Sequence, residues 1–179
     1  QEVIVSGTVH LCLNGHTIIG KVDDGVFRIQ ERATFTVCDC SADESGMISC
    51  TGIHNPIMVG ADGGTFTLYS GAINAQRTAV VIDAGVTNGT VNIHGGSVSS
   101  SSTEHQAIRV NSQSTNAHVN ITGGNMSGCY GIHMGNKTAA LTLSGSPTIT
   151  GTAADLYLYT QAGTAAANAK VDATGYTGS

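Results

Sequence analysis

The sequence contains no tryptophan, only two prolines and few charged side chains. So little proline excludes a proline-rich linker or a collagen-like repeat as the source of its compositional bias. Lysine and arginine number 7 against 12 aspartates and glutamates, which gives a formal net charge of −5. Proteins that bind nucleic acid neutralise its phosphates with a basic surface, so we expect no nucleic-acid partner.

Long apolar segments are also absent. No apolar run approaches the roughly 18 to 20 residues that span a bilayer, and no charged segment followed by an apolar one predicts a signal peptide. We therefore expect no membrane insertion. Because the sequence begins at Gln1 rather than Met, we expect it to be a segment of a larger protein, with any export signal or anchor outside it.

Glycine, by contrast, is abundant, with 24 residues in a chain of 179. It separates short segments in which apolar and polar residues alternate, and these segments recur every 22 to 31 residues. One group contains GVFRIQ, NPIMVG, TAVVID, QAIRVN, YGIHMG and ADLYLY. A second group contains TFTV, TFTL, TVNI, HVNI and ALTL, and after a turn each member is followed by a third apolar position, namely Ile48, Ile73, Val98, Met126 and Ile149.

Strict alternation is typical of a β-strand, in which every second side chain lies on the same face. Three short strands within each repeat leave too little chain for βαβ crossovers, so each strand should lie parallel to its counterpart one turn later. We therefore predict an all-β parallel β-helix, or β-solenoid, of about six to seven turns with three short strands per turn. An antiparallel β-sandwich also uses short strands and glycine turns, but it does not explain why a three-strand unit repeats.

The prediction specifies which side chains face inward. Each inward column takes one residue from every turn, because every turn must bury the same positions against the turn before it. The first column is Phe27, Ile57, Val80, Ile108, Ile132 and Leu156; the second is Ile29, Val59, Ile82, Val110, Met134 and Leu158; the third is Phe35, Phe66, Val91, Val119 and Leu141.

The whole chain is interpreted as one solenoid domain. Its parts are an N-terminal cap and first turn (1–24), regular turns (25–160) and a C-terminal strand and tail (161–179). The tail has only Val171 and Tyr176 as large apolar anchors. We therefore expect the C-terminal end to be the less stable one and to be a site of end-to-end self-association.

Two segments also resemble a known family. LCLNGHTI at 11–18 and ATFTVCDCS at 33–41, together with the recurring TFT-x-x-G-G-x-I pattern, are similar to the right-handed parallel β-helix, pectin-lyase-like repeats of large cell-surface proteins from gut Firmicutes. The resemblance implies a right-handed coil, secretion, a modular parent protein and a scaffold or adhesive role. It transfers no catalytic residue to this chain.

The five cysteines suggest a disulfide. Cys40 and Cys50 bracket a polar segment, so a disulfide between them is expected for an extracellular protein. One alternative is a zinc site of Cys38, Cys40, Cys50 and His54, although C-x-C in a strand would separate two sulfurs by about 6 to 7 Å. Another is that the cysteines are reduced and only pack. Since an odd number leaves at least one thiol without a partner in the chain, we expect Cys129 to be a buried free thiol.

A candidate ligand-binding face lies on the outward side of the first strand group. Sugar-cleaving β-helices use carboxylates on an exposed sheet face, but Asp83 is the only acidic residue at these outward positions. It should be a diagonal neighbour of Arg109, which we interpret as a surface ion pair. We assign no catalytic residue, and we predict that Asp83, Arg109, His133 and Tyr157 bind a ligand.

These observations predict a non-enzymatic extracellular or cell-surface module without a cofactor. It would hold or present neighbouring domains of its parent chain, with weak binding of a glycan or a host-surface protein along one face. The alternative is a polysaccharide-active β-helix enzyme or its accessory carbohydrate-binding module.

Overall fold

The computed structural model describes residues 2–20, 25–159 and 169–178, and within them the chain forms 18 β-strands and no helix. The strands fall into three stacked columns. The first contains β1 (Val3–Val5), β4 (Phe27–Ile29), β7 (Ile57–Val59), β10 (Val80–Ile82) and β13 (Gln106–Val110). The second contains β2 (Thr8–Cys12), β5 (Thr34–Cys38), β8 (Thr65–Leu68), β11 (Thr90–Ile93), β14 (His118–Ile121), β16 (Ala140–Gly145) and β18 (Lys170–Tyr176).

The third column contains β3 (Thr17–Gly20), β6 (Met47–Cys50), β9 (Ala72–Ala75) and β12 (Ser97–Ser100). Two long strands, β15 (Asn125–Met134) and β17 (Thr148–Leu158), continue the third column and then bend into the first. All strand pairs within the described ranges are parallel. The chain is therefore a parallel β-solenoid of about six turns, as predicted, and not an antiparallel sandwich.

The register confirms the predicted inward columns. Val80 pairs with both Ile57 and Ile108, and Ile108 pairs with Ile132. The third predicted inward column lies on the second strand column, where Val91 lies between Phe66 and Val119. The third apolar position of each turn is also in register, since Val98 pairs with Ile73 and Met126. The right-handed sense of the coil stays a prediction.

The core is a continuous apolar stack along the solenoid axis. Most of its large side chains are fully buried, and the three phenylalanines lie close together at its N-terminal half. The ring centroids of Phe27 and Phe35 are 4.7 Å apart, and those of Phe35 and Phe66 are 6.0 Å apart. Because every turn contributes to the same stack, burial of apolar surface stabilises the turns jointly rather than singly.

Glycine at one corner lets successive turns approach closely. Gly71, Gly96 and Gly124 follow one another on consecutive turns, each with positive φ. The carbonyl oxygen of each accepts a hydrogen bond of 2.9 Å from the backbone of the next turn, at Ser97, Asn125 and Thr148 respectively. A Cβ atom on Gly96 would overlap the carbonyl oxygen of Gly71, so this corner requires glycine for space as well as for conformation.

The two ends of the solenoid differ. At the N-terminus, β1, β2 and β3 form the first turn itself, and Val3, Ile4 and Ile19 there are more than half exposed. At the C-terminus, β18 pairs with β16 and extends the second column by a strand. Residues 160–168 lie outside the described residues, so the predicted weakness of the tail stays a prediction. The ranges that the structure describes contain no helix, and so none that could span a membrane.

Candidate functional site

Three of the predicted ligand-binding residues lie one above another on the outward side of the first column. Arg109 in β13 pairs with His133 in β15, and His133 pairs with Tyr157 in β17. Neighbouring strands in a sheet are separated by about 4.8 Å, so the three side chains occupy adjacent turns of one exposed face. The structure thus brings these three residues together.

Aromatic rings form the upper part of this site. The His133 and Tyr157 rings meet edge to face with centroids 4.7 Å apart, and the Tyr130 ring is 5.0 Å from Tyr157 and 6.2 Å from His133. Tyr157 is 47% exposed, whereas Tyr130 and His133 are partly buried. An exposed aromatic group beside polar atoms is typical of a surface that binds a ligand. We name Tyr130, His133, Tyr157 and Arg109 the aromatic site.

Sequence alternation could not place Tyr130 in the aromatic site. Tyr130 and the inward Ile132 are two residues apart, so strict alternation would put both on the inward face. The pairing of β15 with β17 shifts register between Gly128 and Tyr130, where the long strand bends from one column to the next. The bend redirects the Tyr130 side chain, and only the irregular spacing of this turn hints at it.

Two nitrogen atoms of the aromatic site have no hydrogen-bond partner in the described part of the chain. They are Nε of Arg109 and Nδ1 of His133, and both are buried. Burial, and then the positive charge of Arg109, lowers the pKa of His133 below its usual range, so the imidazole is neutral at neutral pH. A buried polar atom without a partner is unfavourable, so these two nitrogens are the atoms of the aromatic site whose hydrogen-bonding capacity is unused.

Asp83 does not join the aromatic site. Its Oδ2 lies 3.6 Å from Nη1 of Arg28, whose Nε donates a 2.8 Å hydrogen bond to Oε2 of Glu2. Arg28 and Asp83 are two turns apart, and Arg28 crosses the intervening turn over Gly60, where any Cβ would collide with it. The predicted ion pair of Asp83 with Arg109 is therefore wrong, because the missing side chain at Gly60 lets Arg28 reach Asp83 instead.

The predicted disulfide is also corrected. Cys40 is bonded to Cys12, 28 residues earlier, and not to Cys50. Cys12 lies at the end of β2, next to the turn that follows β5, whereas Cys50 lies in β6 and is buried in the core. Cys129 is buried and free, as predicted. The disulfide therefore joins successive turns on the outside of the second column instead of closing the loop at 41–49.

The cysteines that do come together are Cys12, Cys38 and Cys40, which we name the cysteine cluster. Their sulfur atoms all lie within 4.8 Å of one another, and the sulfurs of Cys38 and Cys40 are 4.0 Å apart. The alternative zinc set of Cys38, Cys40, Cys50 and His54 is not the group that the structure assembles, because Cys50 and His54 lie outside the cluster. Since β5 ends at Cys38, Cys40 is freed from the strand geometry that would have separated the two sulfurs.

Asp39 holds the turn between Cys38 and Cys40 in place. Its buried carboxylate accepts hydrogen bonds from the backbone N–H groups of Gly15 (2.8 Å), Ser41 (3.1 Å) and Gly46. Burial alone would raise the pKa of Asp39, but these donors and the Ser41 hydroxyl outweigh it and lower the pKa to about 2. The backbone N–H of Asp39 also donates a 2.8 Å bond to the hydroxyl of Ser70, so this turn is tied to three neighbouring segments.

The fold places this protein in the class of parallel β-solenoids with short repeats. Its aromatic site lies on the outward side of the first strand column. Comparison with family models, curated proteins and solved structures finds no significant match to the chain. The predicted resemblance to pectin-lyase-like repeats of Firmicutes surface proteins consequently stays a prediction.

Proposed function

We propose that this chain is a structural module of an extracellular or cell-surface protein and that its aromatic site binds carbohydrate. The observation that carries the binding proposal is the stack of Arg109, His133 and Tyr157 on adjacent turns, joined by Tyr130. Aromatic rings offer flat apolar surfaces to the C–H faces of a sugar, and their polar neighbours can bond its hydroxyl groups.

The unpartnered nitrogens indicate the kind of sugar. Nε of Arg109 is a donor of fixed positive charge, and neutral His133 can donate or accept depending on its tautomer. A glycan that bears carboxylates would pair with Arg109 by a charge-assisted hydrogen bond, so we propose an acidic glycan. Both nitrogens are buried, so a glycan would reach them only after a neighbouring side chain moves.

Two features support the structural and extracellular parts of the proposal. The continuous apolar stack makes the solenoid a rod whose turns depend on one another, which suits a spacer between domains. The disulfide between Cys12 and Cys40 is a bond that persists in oxidising compartments such as the cell exterior. Neighbouring domains of the parent chain and a surface glycan are the proposed partners.

Calorimetric titration with acidic and neutral oligosaccharides tests the binding proposal. Tyr157→Ala should weaken binding by about tenfold, the loss typical of a central contact residue. Arg109→Gln should remove the preference for acidic over neutral sugars. Tyr69→Ala is the matched control, because Tyr69 is also exposed and stacks on His94 at 4.8 Å, but in the second column. Equal binding by the wild type and Tyr157→Ala would contradict the proposal.

An enzymatic role is the alternative outcome. Incubation with a broad polysaccharide panel, followed by assays for new reducing ends and unsaturated products, should show no turnover if the module is structural. Reproducible turnover that Asp83→Asn abolishes would overturn the structural proposal. Arg32→Gln serves as a control, since its side chain is 86% exposed and lies outside both sites.

A further inference from the structure

We propose that the cysteine cluster is a redox-gated site for a thiophilic divalent metal ion. When the disulfide between Cys12 and Cys40 is reduced, the thiolates of Cys12, Cys38 and Cys40 bind the ion together. When those two cysteines are oxidised, the disulfide removes two of the three ligands and the ion is released. This inference is independent of the proposed carbohydrate site.

Cys38 is the residue that a purely structural disulfide leaves unexplained. A disulfide needs only two cysteines, but a third one, Cys38, lies beside this pair as the register partner of Cys12 on the next turn. Its sulfur lies 4.0 Å from that of Cys40, and its side chain is only partly buried. A third thiol so close to a disulfide on an outward face gives three soft ligands at one position.

The distances suit tetrahedral coordination. With metal–sulfur bonds of about 2.3 Å, two thiolates on one tetrahedral zinc ion lie roughly 3.8 Å apart. The three sulfurs already lie within 4.8 Å of one another, and reduction of the disulfide lets the sulfurs of Cys12 and Cys40 separate to non-bonded contact. Cys12 and Cys40 are exposed, so a water molecule can fill the fourth position.

The surrounding turn holds the ligands in position. Asp39 stands between two of them, and its carboxylate fixes the backbone through hydrogen bonds from Gly15, Ser41 and Gly46. The third ligand, Cys12, is held by the strand pairing of β2 with β5. Ligands held in place before the ion binds lose less conformational entropy on binding, which favours affinity.

The redox step balances as thiol–disulfide exchange. Loading requires a low-molecular-weight thiol such as reduced glutathione: two of its thiolates supply two electrons, the bond between Cys12 and Cys40 breaks, and one glutathione disulfide forms. For release, a low-molecular-weight disulfide such as oxidised glutathione accepts two electrons from the thiolates of Cys12 and Cys40. One sulfur–sulfur bond forms between these cysteines, one breaks in glutathione, and two glutathione thiolates leave, taking up protons from solvent. The metal ion is released because only Cys38 remains as a ligand.

Titration with Cd²⁺ tests the site directly. The wild type, reduced with a phosphine that does not itself supply thiols, should bind one equivalent and develop the ultraviolet charge-transfer band of cadmium thiolates. Unreduced protein should give no such band. Cys38→Ser should lose at least about tenfold in affinity, because removing a direct ligand should cost no less than disturbing its supporting partners. Cys129→Ser, at a buried cysteine outside the cluster, should bind like the wild type.

Circular dichroism of each variant before titration shows whether it is folded. If Cys38→Ser is not folded, Cys12→Ser replaces it and should show the same loss. Addition of oxidised glutathione to the loaded protein should release the bound Cd²⁺. The proposal is overturned if the reduced wild type shows no saturable binding or if folded Cys38→Ser binds as tightly as the wild type. Binding by unreduced protein, or Cd²⁺ that stays bound after oxidised glutathione has restored the disulfide, would overturn the redox gating.

Discussion

The carboxylate of Asp39 accepts a 2.8 Å hydrogen bond from the backbone N–H of Gly15, although 24 residues separate them. With its other donors, this bond lowers the pKa of Asp39 from 3.8 to about 2. Because the folded pKa is below the unfolded one, ionised Asp39 stabilises the fold fully above pH 3.8, and this stabilisation is lost as the pH falls towards 2.

Asp39→Asn should therefore lower the Tm at neutral pH, and the difference from the wild type should narrow below pH 3.8. Thermal unfolding followed by circular dichroism over a pH series measures this. Glu31→Gln is the control, since its side chain is 66% exposed, and it should match the wild type throughout. A difference that stayed constant in acid would mean that the ionised carboxylate is not its source.

The disulfide yields a second prediction. Digestion without reduction should release a peptide pair that joins Cys12 to Cys40, and reduction should lower the free energy of unfolding by about 3 to 4 kcal/mol, as expected for a loop of this length. Peptide mapping by mass spectrometry and urea unfolding check the two parts. Cys50→Ser should leave the crosslink intact. A linked pair containing Cys40 and Cys50 would contradict the observed connectivity.

Two substitutions distinguish the two reasons for glycine at a corner, which are its positive φ angle and the lack of space for a Cβ atom. Gly85 and Gly96 have similar φ angles, +78° and +73°, but a Cβ on Gly85 would have nothing within 4 Å. Gly85→Ala should cost about 1 to 2 kcal/mol, the penalty of a left-handed conformation. Gly96→Ala should cost at least about 1 kcal/mol more, because its Cβ overlaps the previous turn. Equal losses in urea unfolding would refute the close-contact argument.

Phe66 tests the continuous core. It is fully buried and lies between Phe35 and Val91 in its column. Phe66→Ala should lower the free energy of unfolding in urea by about 3 to 5 kcal/mol, through lost burial and the cavity that remains. Ile53→Ala, at a side chain that is 61% exposed, should change it by no more than about 0.5 kcal/mol. Similar effects of the two substitutions would show that Phe66 is not a core residue.

The aromatic site makes a prediction about the pKa of His133. Burial lowers this pKa first and the charge of Arg109 lowers it further. Arg109→Gln should therefore raise the pKa of His133, but not to its usual value, because burial remains. An NMR titration of the imidazole C–H signals measures the shift. Arg28→Gln, on the same face but paired with Glu2, should leave the titration unchanged; no shift with Arg109→Gln would contradict the assigned cause.

Much of the fold could be predicted because, in a solenoid, the residues that occupy equivalent places in the repeated segments are also the residues that pair between neighbouring turns. Ile57, Val80 and Ile108 occupy equivalent places in their segments, so aligning the segments also aligns the turns. The same logic applied to the start of the chain would have placed Cys12 beside Cys38, since VHLC aligns with FTVC. The disulfide partner of Cys40 does not follow from this alignment, because Cys40 lies beyond the end of β5 and outside the aligned segments.

Two side-chain contacts could not be predicted from the sequence. One depends on the length of the Arg28 side chain, and the other on the bend in β15. Arg28 contacts Asp83 across the intervening turn, whereas strand alignment predicts contacts only between adjacent turns. Tyr130 enters the aromatic site because the register shifts beside it. The first contact depends on the missing side chain at Gly60, and the second on the register shift between Gly128 and Tyr130. Alternation of apolar and polar residues describes neither feature.

The register of the columns has a consequence for how such a chain can evolve. Val80 pairs with Ile57 below and Ile108 above, and all three face inward. Removal of residues 80–107 would join Ala79 to Ile108 and set Ile108 against Ile57, another pair of inward residues of similar size. The number of turns can therefore change by duplication or deletion of whole repeats. The core is kept in each case, because the inward residues of one turn already pack against those of any equivalent turn.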